Sequence, residues 1–185
     1  TQNLIKLLNP NFFINVKNLQ ELDLSKNELN NSKNIIDTLN GHISLVKLDL
    51  SYNDFSNFDF TFFSQFLELK ELVVGSKVGP ELTNISWQLL PASLTDLTVY
   101  EIGENLPINM CSQFIALKSL AVTGYGIKDI HKDTFKSLGH LEMLSIQSTK
   151  VKALDPELFV PLTSLSDLNL DYNFLKELPV GIFTQ

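Results

Sequence analysis

The stretch Leu19-Gln20-Glu21-Leu22-Asp23-Leu24-Ser25-Lys26-Asn27-Glu28-Leu29 contains the pattern L-x-x-L-x-L-x-x-N-x-L. Its closely spaced leucines alternate with polar residues, which is typical of a short strand with one buried face. The asparagine follows where the chain leaves the strand, and its amide can bond backbone groups that would otherwise be buried without partners. The stretch therefore predicts a strand and a turn that need a neighbour to bury their leucines.

The same pattern recurs along the chain at a nearly constant period. Its first leucines lie at Leu19, Leu45, Leu69, Leu94, Leu117, Leu141 and Leu165. The steps between them are 26, 24, 25, 23, 24 and 24 residues. Units of this length stack so that each buries the apolar face of the next. We therefore predict an α/β repeat, a curved solenoid with short parallel strands on the concave side and loops and short helical turns on the convex side.

The asparagine position divides the chain into regular ends and an irregular centre. A ladder of asparagines is predicted at Asn3, Asn27, Asn53 and Asn173. The four repeats between them carry Lys77, Ile102, Tyr125 and Thr149 instead. Of these four, only Thr149 can make part of the same hydrogen bonds. We expect relaxed packing in this centre, with a gap for an apolar ligand near residues 75–80 and 102–105, or poor packing without function.

A second spine precedes each repeat by six residues and is predicted to pack the side opposite the strands. It reads Phe13, Leu39, Phe63, Gln88, Cys111, Phe135, Phe159 and Phe183. Trp87 is expected to fill the slot of Gln88 after a small shift. Both ends of the sequence fall inside a repeat, and the capping units that solenoids need are not seen. We therefore expect residues 1–185 to be one solenoid segment of about seven repeats.

Composition narrows the function classes. The chain is 44% hydrophobic and 19% charged, which is typical of a folded protein, and no apolar run is long enough for a membrane helix. The net charge of −7 argues against a protein dominated by contacts to a nucleic-acid backbone, although a local basic patch leaves nucleic acid open as a partner. Cys111 is the only cysteine, so no internal disulfide is possible.

The repeat resembles the 24-residue class of leucine-rich repeat, L-x-x-L-x-L-x-x-N-x-L-x-x-L-P-x-x-x-F-x-x-L. The stretch from Leu165 to Phe183, with Leu178 and Pro179, fits it almost position for position. This class is mostly animal and extracellular, so the resemblance implies binding rather than catalysis and no cofactor. It includes Toll-like receptor ectodomains, small matrix proteoglycans and neuronal adhesion proteins.

Among these families, the irregular steps and the broken ladder favour a Toll-like receptor ectodomain. The resemblance then implies a pattern-recognition segment that binds a microbial ligand, supports a receptor homo- or heterodimer, and lies at the cell surface or in the endosomal lumen. Contact with a membrane is expected only through segments outside this chain. The alternative is a matrix or adhesion module that binds a protein partner.

The concave face is the expected binding surface, because the outward strand residues are acidic at the ends and less charged in the centre. The candidate ligand-binding residues are Tyr100, Met143, Val73, Thr98 and Lys77. A plain solvated sheet face is the competing interpretation.

Other motifs suggest modification but no chemistry. Sequons at Asn30 and Asn84 are candidate glycosylation sites. Cys111 is expected to be a buried, inert thiol. The scattered histidines His42, His131 and His140 support a sensor of endosomal acidity only weakly, and no metal-ligand spacing is visible.

Overall fold

Seven short strands form one parallel sheet whose strand order follows the chain. The structure, a computed structural model, describes residues 3–41, 44–54, 58–76, 82, 85–108 and 110–183. The strands are β1 (Glu21–Asp23), β2 (Lys47–Asp49), β3 (Glu71–Gly75), β4 (Asp96–Tyr100), β5 (Ser119–Thr123), β6 (Met143–Gln147) and β7 (Asp167–Asn169). The leucine-rich-repeat solenoid predicted from the period is therefore confirmed.

The register of the sheet stacks equivalent leucines on one another. Leu48 pairs with Leu72, Leu72 with Leu97, and the same match continues through β5 and β6. These leucines are buried, and the strand residues on either side of them face outward. Because side chains alternate along a strand, one face of the sheet forms the core and the other is left as an open surface.

Helical turns lie on the side opposite the sheet. Helix α1 covers Ser32–Leu39, and 3₁₀ helices cover Phe60–Gln65 and Trp87–Leu89. Helix α1 begins where the Asn31 side chain accepts a hydrogen bond from the Asn34 backbone at 3.0 Å, an N-cap that satisfies a helix-end donor. Its buried face, which includes Ile35 and Leu39, packs into the core.

The predicted aromatic spine is present, with one shift and one exception. Phe63, Phe135, Phe159 and Cys111 are buried; so are Phe13 and Leu39. Trp87 fills its slot and leaves Gln88 exposed, as expected. The exception is Phe183, which is 62% exposed and stacks only against Phe159, with ring centroids 6.1 Å apart.

The asparagine ladder is formed at three of the four predicted positions. Asn53 donates hydrogen bonds to the carbonyl oxygens of Leu24 and Leu50, each at 2.9 Å, and accepts one from the Leu29 backbone at 3.0 Å. Asn27 makes the corresponding bonds one repeat earlier, and Asn173 does so near the other end. Asn3 does not join the ladder: it is exposed, and the described residues include no hydrogen-bond partner for its side chain.

The central repeats replace the missing amides by close backbone packing. Ile102 is fully buried, and its carbonyl oxygen accepts a hydrogen bond of 3.1 Å from the Gly126 backbone. A Cβ atom added to Gly126 would lie 1.9 Å from the carbonyl carbon of Gly103. The expected gap between repeats is therefore absent at residues 102–105, since only glycine allows the two backbones to approach this closely.

Candidate ligand-binding face

The open face of the sheet carries three outward rows of side chains, one row for each outward position along the strands. The middle row runs from Asp23 in β1 through Asp49, Val73 and Thr98 to Ala121 and onward. Charged residues at the start of this row give way to small and apolar ones in the centre. The less charged residues predicted from the sequence are therefore neighbours in the folded chain, where they form one continuous surface.

Two tyrosines form the principal aromatic feature of this face. Tyr100 ends β4, and Tyr52 follows β2, so the two belong to strands that are not adjacent. Their ring centroids nevertheless lie 5.3 Å apart, with the ring planes tilted by 33°. They meet above Gly75 at the end of β3, which is paired directly with Tyr100.

The contact between the Tyr52 and Tyr100 rings requires glycine at position 75. A Cβ atom at this position would lie 2.6 Å from the Cβ atom of Tyr100, a distance at which one of the two must move. With no side chain between them, the rings lean toward each other across β3. Aromatic pairs with offset or tilted rings contribute roughly 0.5–1.5 kcal/mol beyond their buried area. We call Tyr52, Gly75 and Tyr100 the tyrosine bridge.

The surroundings of the tyrosine bridge keep the Tyr100 hydroxyl protonated and partly shield it from water. Burial raises the pKa of Tyr100 above its ordinary value, and the nearby Tyr52 and Asp49 add to the effect. The hydroxyl of Tyr100 is therefore a hydrogen-bond donor throughout the physiological range. The ammonium of Lys26 lies 5.8 Å from the ring centre of Tyr52, within the range of a cation–π contact.

Two other candidates lie beside the tyrosine bridge. Val73 and Thr98 are direct partners across β3 and β4, and both are half-buried. They occupy the middle row, two residues before Gly75 and Tyr100 along the same strands. The structure therefore brings three predicted residues, Tyr100, Val73 and Thr98, onto one patch.

Met143 belongs to a different part of the face. It begins β6 and is 48% exposed, in a shallow groove of 390 Å³ that also includes Gln147 and Asp167. Tyr100 lies two strands away and at the opposite end of its own strand, a separation of about 16 Å from the usual strand spacing and rise. Met143 is thus not brought together with the other candidates.

The remaining predicted sites are split between described and undescribed residues. Asn30 is exposed directly before helix α1, where a glycan has access. Lys77 and Asn84 lie outside the described residues, as does His42. Ser76, just before Lys77, pairs with Asn53 through an isolated parallel bridge, and its buried hydroxyl has no hydrogen-bond partner among the described residues.

The groups that could carry chemistry are dispersed. Burial raises the pKa of the Cys111 thiol to about 12, so the thiol is protonated and unreactive at neutral pH. His131 and His140 are exposed. Within the ranges that the structure describes, no three His, Cys, Asp or Glu side chains gather where they could hold a metal ion. Among the described residues, no helix combines the length and the apolar character needed to cross a membrane.

Sequence reasoning missed Tyr52, and it considered Gly75 only as part of the expected gap at residues 75–80. Tyr52 precedes a ladder asparagine and has a φ of +57°, a left-handed conformation that redirects its side chain. Lys26, Glu101, Ser148 and Tyr172 have the same conformation just before the ladder position of their own repeats. One signal in the sequence could have indicated this contact. Tyr52 and Tyr100 are two repeats apart, and the repeat between them carries Gly75, which has no side chain to separate the two rings.

Comparison with known proteins gives the same architecture. Residues 115–175 match one leucine-rich-repeat family model, and residues 18–41 and 44–66 match a second. Tsukushi of Gallus gallus is 26% identical over 171 residues, which cover 88% of this chain and 43% of Tsukushi.

Two solved structures are similar at comparable levels. The receptor in the TLR13–ssRNA13 complex is 28% identical with a TM-score of 0.75, over 99% of this chain and 25% of the receptor chain. The protein LIC12759 of Leptospira interrogans is 27% identical, also with a TM-score of 0.75, over 98% of this chain and 45% of its own.

The chain spans less than half the length of each of these three proteins. Such repeat proteins are binding scaffolds and not enzymes. With a parallel sheet in chain order, stacked leucines at a 24-residue period and family matches over more than half of its length, the chain is a member of the leucine-rich-repeat family.

Proposed function

We propose that the chain is a ligand-binding segment of an innate immune pattern-recognition receptor ectodomain of the Toll-like receptor kind, with a microbial ligand bound on the concave face. The observation that carries the proposal is the tyrosine bridge. Paired aromatic rings beside the half-buried Val73 and Thr98 make a centre with little charge between the more acidic ends of the face, and aromatic residues of this kind are typical of binding hot spots.

The likeness to a Toll-like receptor supports this proposal. The similar region of the TLR13 structure covers nearly the whole of this chain, and that receptor is in complex with ssRNA13. Single-stranded RNA is therefore among the microbial ligands to be tested. The acidic ends of the concave face would attract a cationic ligand and repel a polyanion such as RNA, so the experiment must compare ligand classes.

Several further properties belong to the same proposal. The segment would lie on the extracellular side of a membrane receptor, at the cell surface or in the endosomal lumen, with glycans at Asn30 and Asn84. Further repeats would stack on both ends of residues 1–185. Receptor dimerisation would use surfaces mostly outside this segment, and Met143 would serve as a second contact.

A matrix or adhesion module that binds a protein partner is the second candidate. The likeness to Tsukushi favours it to a similar degree, since the identity is 26% against 28% for the receptor. The receptor and the matrix or adhesion module differ in the class of ligand that they bind. They also differ in the segments expected on the C-terminal side of the solenoid. Each difference can be tested by one experiment.

The first experiment measures binding to the full chain by biolayer interferometry. The panel contains single-stranded RNA, a bacterial lipopeptide and a bacterial polysaccharide. We expect one class to bind saturably and Tyr100→Ser to weaken that binding about ten-fold or more, as truncation of an aromatic hot spot does. Tyr172→Ser is the matched control, because Tyr172 is exposed and remote from the tyrosine bridge although its backbone conformation equals that of Tyr52.

Two results would count against a concave-face receptor site. One is the absence of saturable binding by every class in the panel. The other is an equal loss of affinity in the Tyr100 and Tyr172 variants, which would place the ligand elsewhere or show a general loss of folding.

The second experiment reads the transcript beyond the codon for Gln185. A cysteine cap, one membrane helix and a cytoplasmic signalling domain would support the receptor. A cap followed by a stop codon or a lipid-anchor signal would assign the chain to the matrix and adhesion class.

A further inference from the structure

An open pocket of 500 Å³ lies beside the sheet, on the side that the chain reaches directly after strands β5 to β7. Its walls are Lys128, Asp129, Lys150, Lys152 and Phe174. Pockets that bind small molecules usually have volumes of roughly 300–1,000 Å³. The pocket shares no residue with the tyrosine bridge, so a ligand bound in it would be independent of the function proposed above.

Hydrogen bonds between repeats hold the pocket walls in place. The Lys150 backbone donates to the carbonyl oxygen of Ile127 at 2.8 Å, and the Phe174 backbone donates to that of Val151 at 2.9 Å. The side-chain oxygen of Asn105 accepts a bond of 2.7 Å from the Lys128 backbone. The backbones of Lys128, Lys150 and Phe174 are therefore each tied to the preceding repeat, which fixes where their side chains begin.

The lysines of this pocket lack carboxylate partners. Lys128 and Lys152 occupy the same position of adjacent repeats, and both line the pocket. Within the described part of the chain, neither they nor Lys150 forms an ion pair.

Some other lysines of the same repeats are paired, whereas Lys136 and Lys176 form no ion pair within the described ranges. Lys118 bonds Glu142 at 2.9 Å, and Lys132 bonds Glu157 at 2.5 Å, each across one repeat. What distinguishes the pocket is that its lining collects three unpaired positive charges and the one negative charge of Asp129. The lining therefore carries more positive than negative charge, which attracts an anion.

The pocket also offers an apolar wall. The Phe174 ring is 54% exposed although its backbone is fixed. The ammonium of Lys150 lies 5.7 Å from the ring centre of Tyr125, which orients this lysine. A ligand that fits must therefore combine an anionic group with an apolar or aromatic part.

We propose that this pocket binds an organic phosphate, with the phosphate held by Lys128, Lys150 and Lys152 and the apolar part against Phe174. A phosphate monoester carries about −1.5 to −2 charges at pH 7, which matches the excess of positive charge. Lysine binds phosphate as a compact point charge and can donate up to three hydrogen bonds to its oxygens. All fourteen Lys and Arg residues of this chain are lysines.

The test is calorimetric titration of the full chain with phenyl phosphate, the smallest probe that carries both parts. Saturable binding that weakens with added salt is expected. Lys150→Gln and Lys152→Gln should each weaken it about ten-fold, the loss expected for one charge-assisted contact. Asp129→Asn should strengthen it, because the variant removes the one negative charge from the wall.

Matched controls separate the pocket from a general charge effect. Lys70→Gln removes an exposed lysine elsewhere and should leave the affinity unchanged. Phe174→Ser should weaken phenyl phosphate but not inorganic phosphate. The proposal is overturned if phenyl phosphate does not saturate at low salt, if Lys70→Gln causes the same loss, or if uncharged benzyl alcohol binds as tightly.

A second measurement needs no variant. Acetylation of lysines in the wild-type chain, followed by mass spectrometry, should slow at Lys128, Lys150 and Lys152 when phenyl phosphate is added, but not at Lys70. Unchanged labelling at the three pocket lysines would contradict the site even if binding were seen.

Competition then identifies the source of the phosphate. Adenosine monophosphate and monomeric dihexanoyl phosphatidic acid are each titrated against bound phenyl phosphate. Displacement by the first points to a nucleotide, and displacement by the second points to a lipid headgroup. Failure of both to displace the probe would overturn the assignment to organic phosphates.

Discussion

The Thr149 hydroxyl donates a hydrogen bond of 2.7 Å to the side-chain oxygen of Asn173, one repeat later. It also accepts a bond of 3.2 Å from the Val151 backbone. It lacks an amide N–H, with which Asn173 reaches the carbonyl oxygens of Ile146 and Leu170 at 2.7 and 2.8 Å. Thr149 therefore supports the ladder without replacing a member of it, and the stability carried by each ladder position depends on these carbonyl bonds.

Asn53→Ala should lower the free energy of unfolding by about 1–3 kcal/mol, because it removes the donor to the Leu50 carbonyl oxygen and the acceptor of the buried Leu29 N–H. Urea denaturation followed by circular dichroism measures the change. Asn3→Ala, at an exposed position of the same motif, should cost much less, and so should Lys77→Ala. Equal losses in the three variants would contradict the ladder assignment.

Gly126→Ala should destabilise the chain by about 1–3 kcal/mol, since the added methyl group would overlap the Gly103 backbone and force two repeats apart. Gly139→Ala is the control, because its nearest neighbours would lie at an ordinary 3.8 Å. Thermal melting compares the two variants. If Gly126→Ala melted like wild type, the close packing of the central repeats would be wrong.

Trp87→Ala should cost about 3–5 kcal/mol, the range for removing a large buried side chain. Gln88→Ala should change stability by less than about 0.5 kcal/mol, since Gln88 is exposed. The pair of denaturation curves tests which of two neighbouring residues fills the spine. A larger loss from Gln88→Ala would reverse the assignment.

Cys111 should make stability fall at high pH. Burial raises its pKa from 9.0 to about 12, so the folded chain keeps the proton that the unfolded chain releases. This contribution is complete below pH 9 and is lost as the pH rises from 9 toward 12. Comparison of unfolding curves for wild type and Cys111→Ala over this interval isolates it from the tyrosines.

The same thiol should resist iodoacetamide at pH 8 in buffer and react in denaturant, as mass spectrometry can show. Rapid labelling of the folded chain would mean that the thiol is accessible, contrary to its burial.

The period of the leucines was enough to predict the fold, because one repeat distance fixes strand, turn and core together. The prediction that Trp87 fills the spine position of its repeat is confirmed. The step from Leu69 to Leu94 is 25 residues, and the buried side chain is therefore one residue earlier than a strict count of six residues before Leu94. The prediction of a buried spine was wrong at Phe183, which is exposed. A spine residue is buried by the repeats on both sides of it, so its own repeat does not determine its burial.

The candidate site was predicted only in part. Tyr100, Val73 and Thr98 share a patch because alternation along a strand fixes which side chains point outward. The partnership of Tyr52 with Tyr100 depends on a left-handed backbone and on a missing side chain at Gly75, and neither belongs to the repeat pattern. Nor does the pattern describe the loop lysines of the phosphate pocket, since their grouping depends on how successive loops stack.

Among the described residues, the side-chain hydrogen bonds that join repeats all connect residues 22 to 29 positions apart, from Glu101 with Thr123 at the short end to Asn53 with Leu24 at the long end. These hydrogen bonds thus tie each repeat to its immediate neighbours, and the contact between Tyr52 and Tyr100 is one that reaches across two repeats. A gene for such a protein can gain or lose a whole repeat, and the change then creates only one new interface between repeats. The loops tolerate steps of 23 to 26 residues, whereas the deletion of one residue between a strand and its ladder position would displace the donors there from their acceptors.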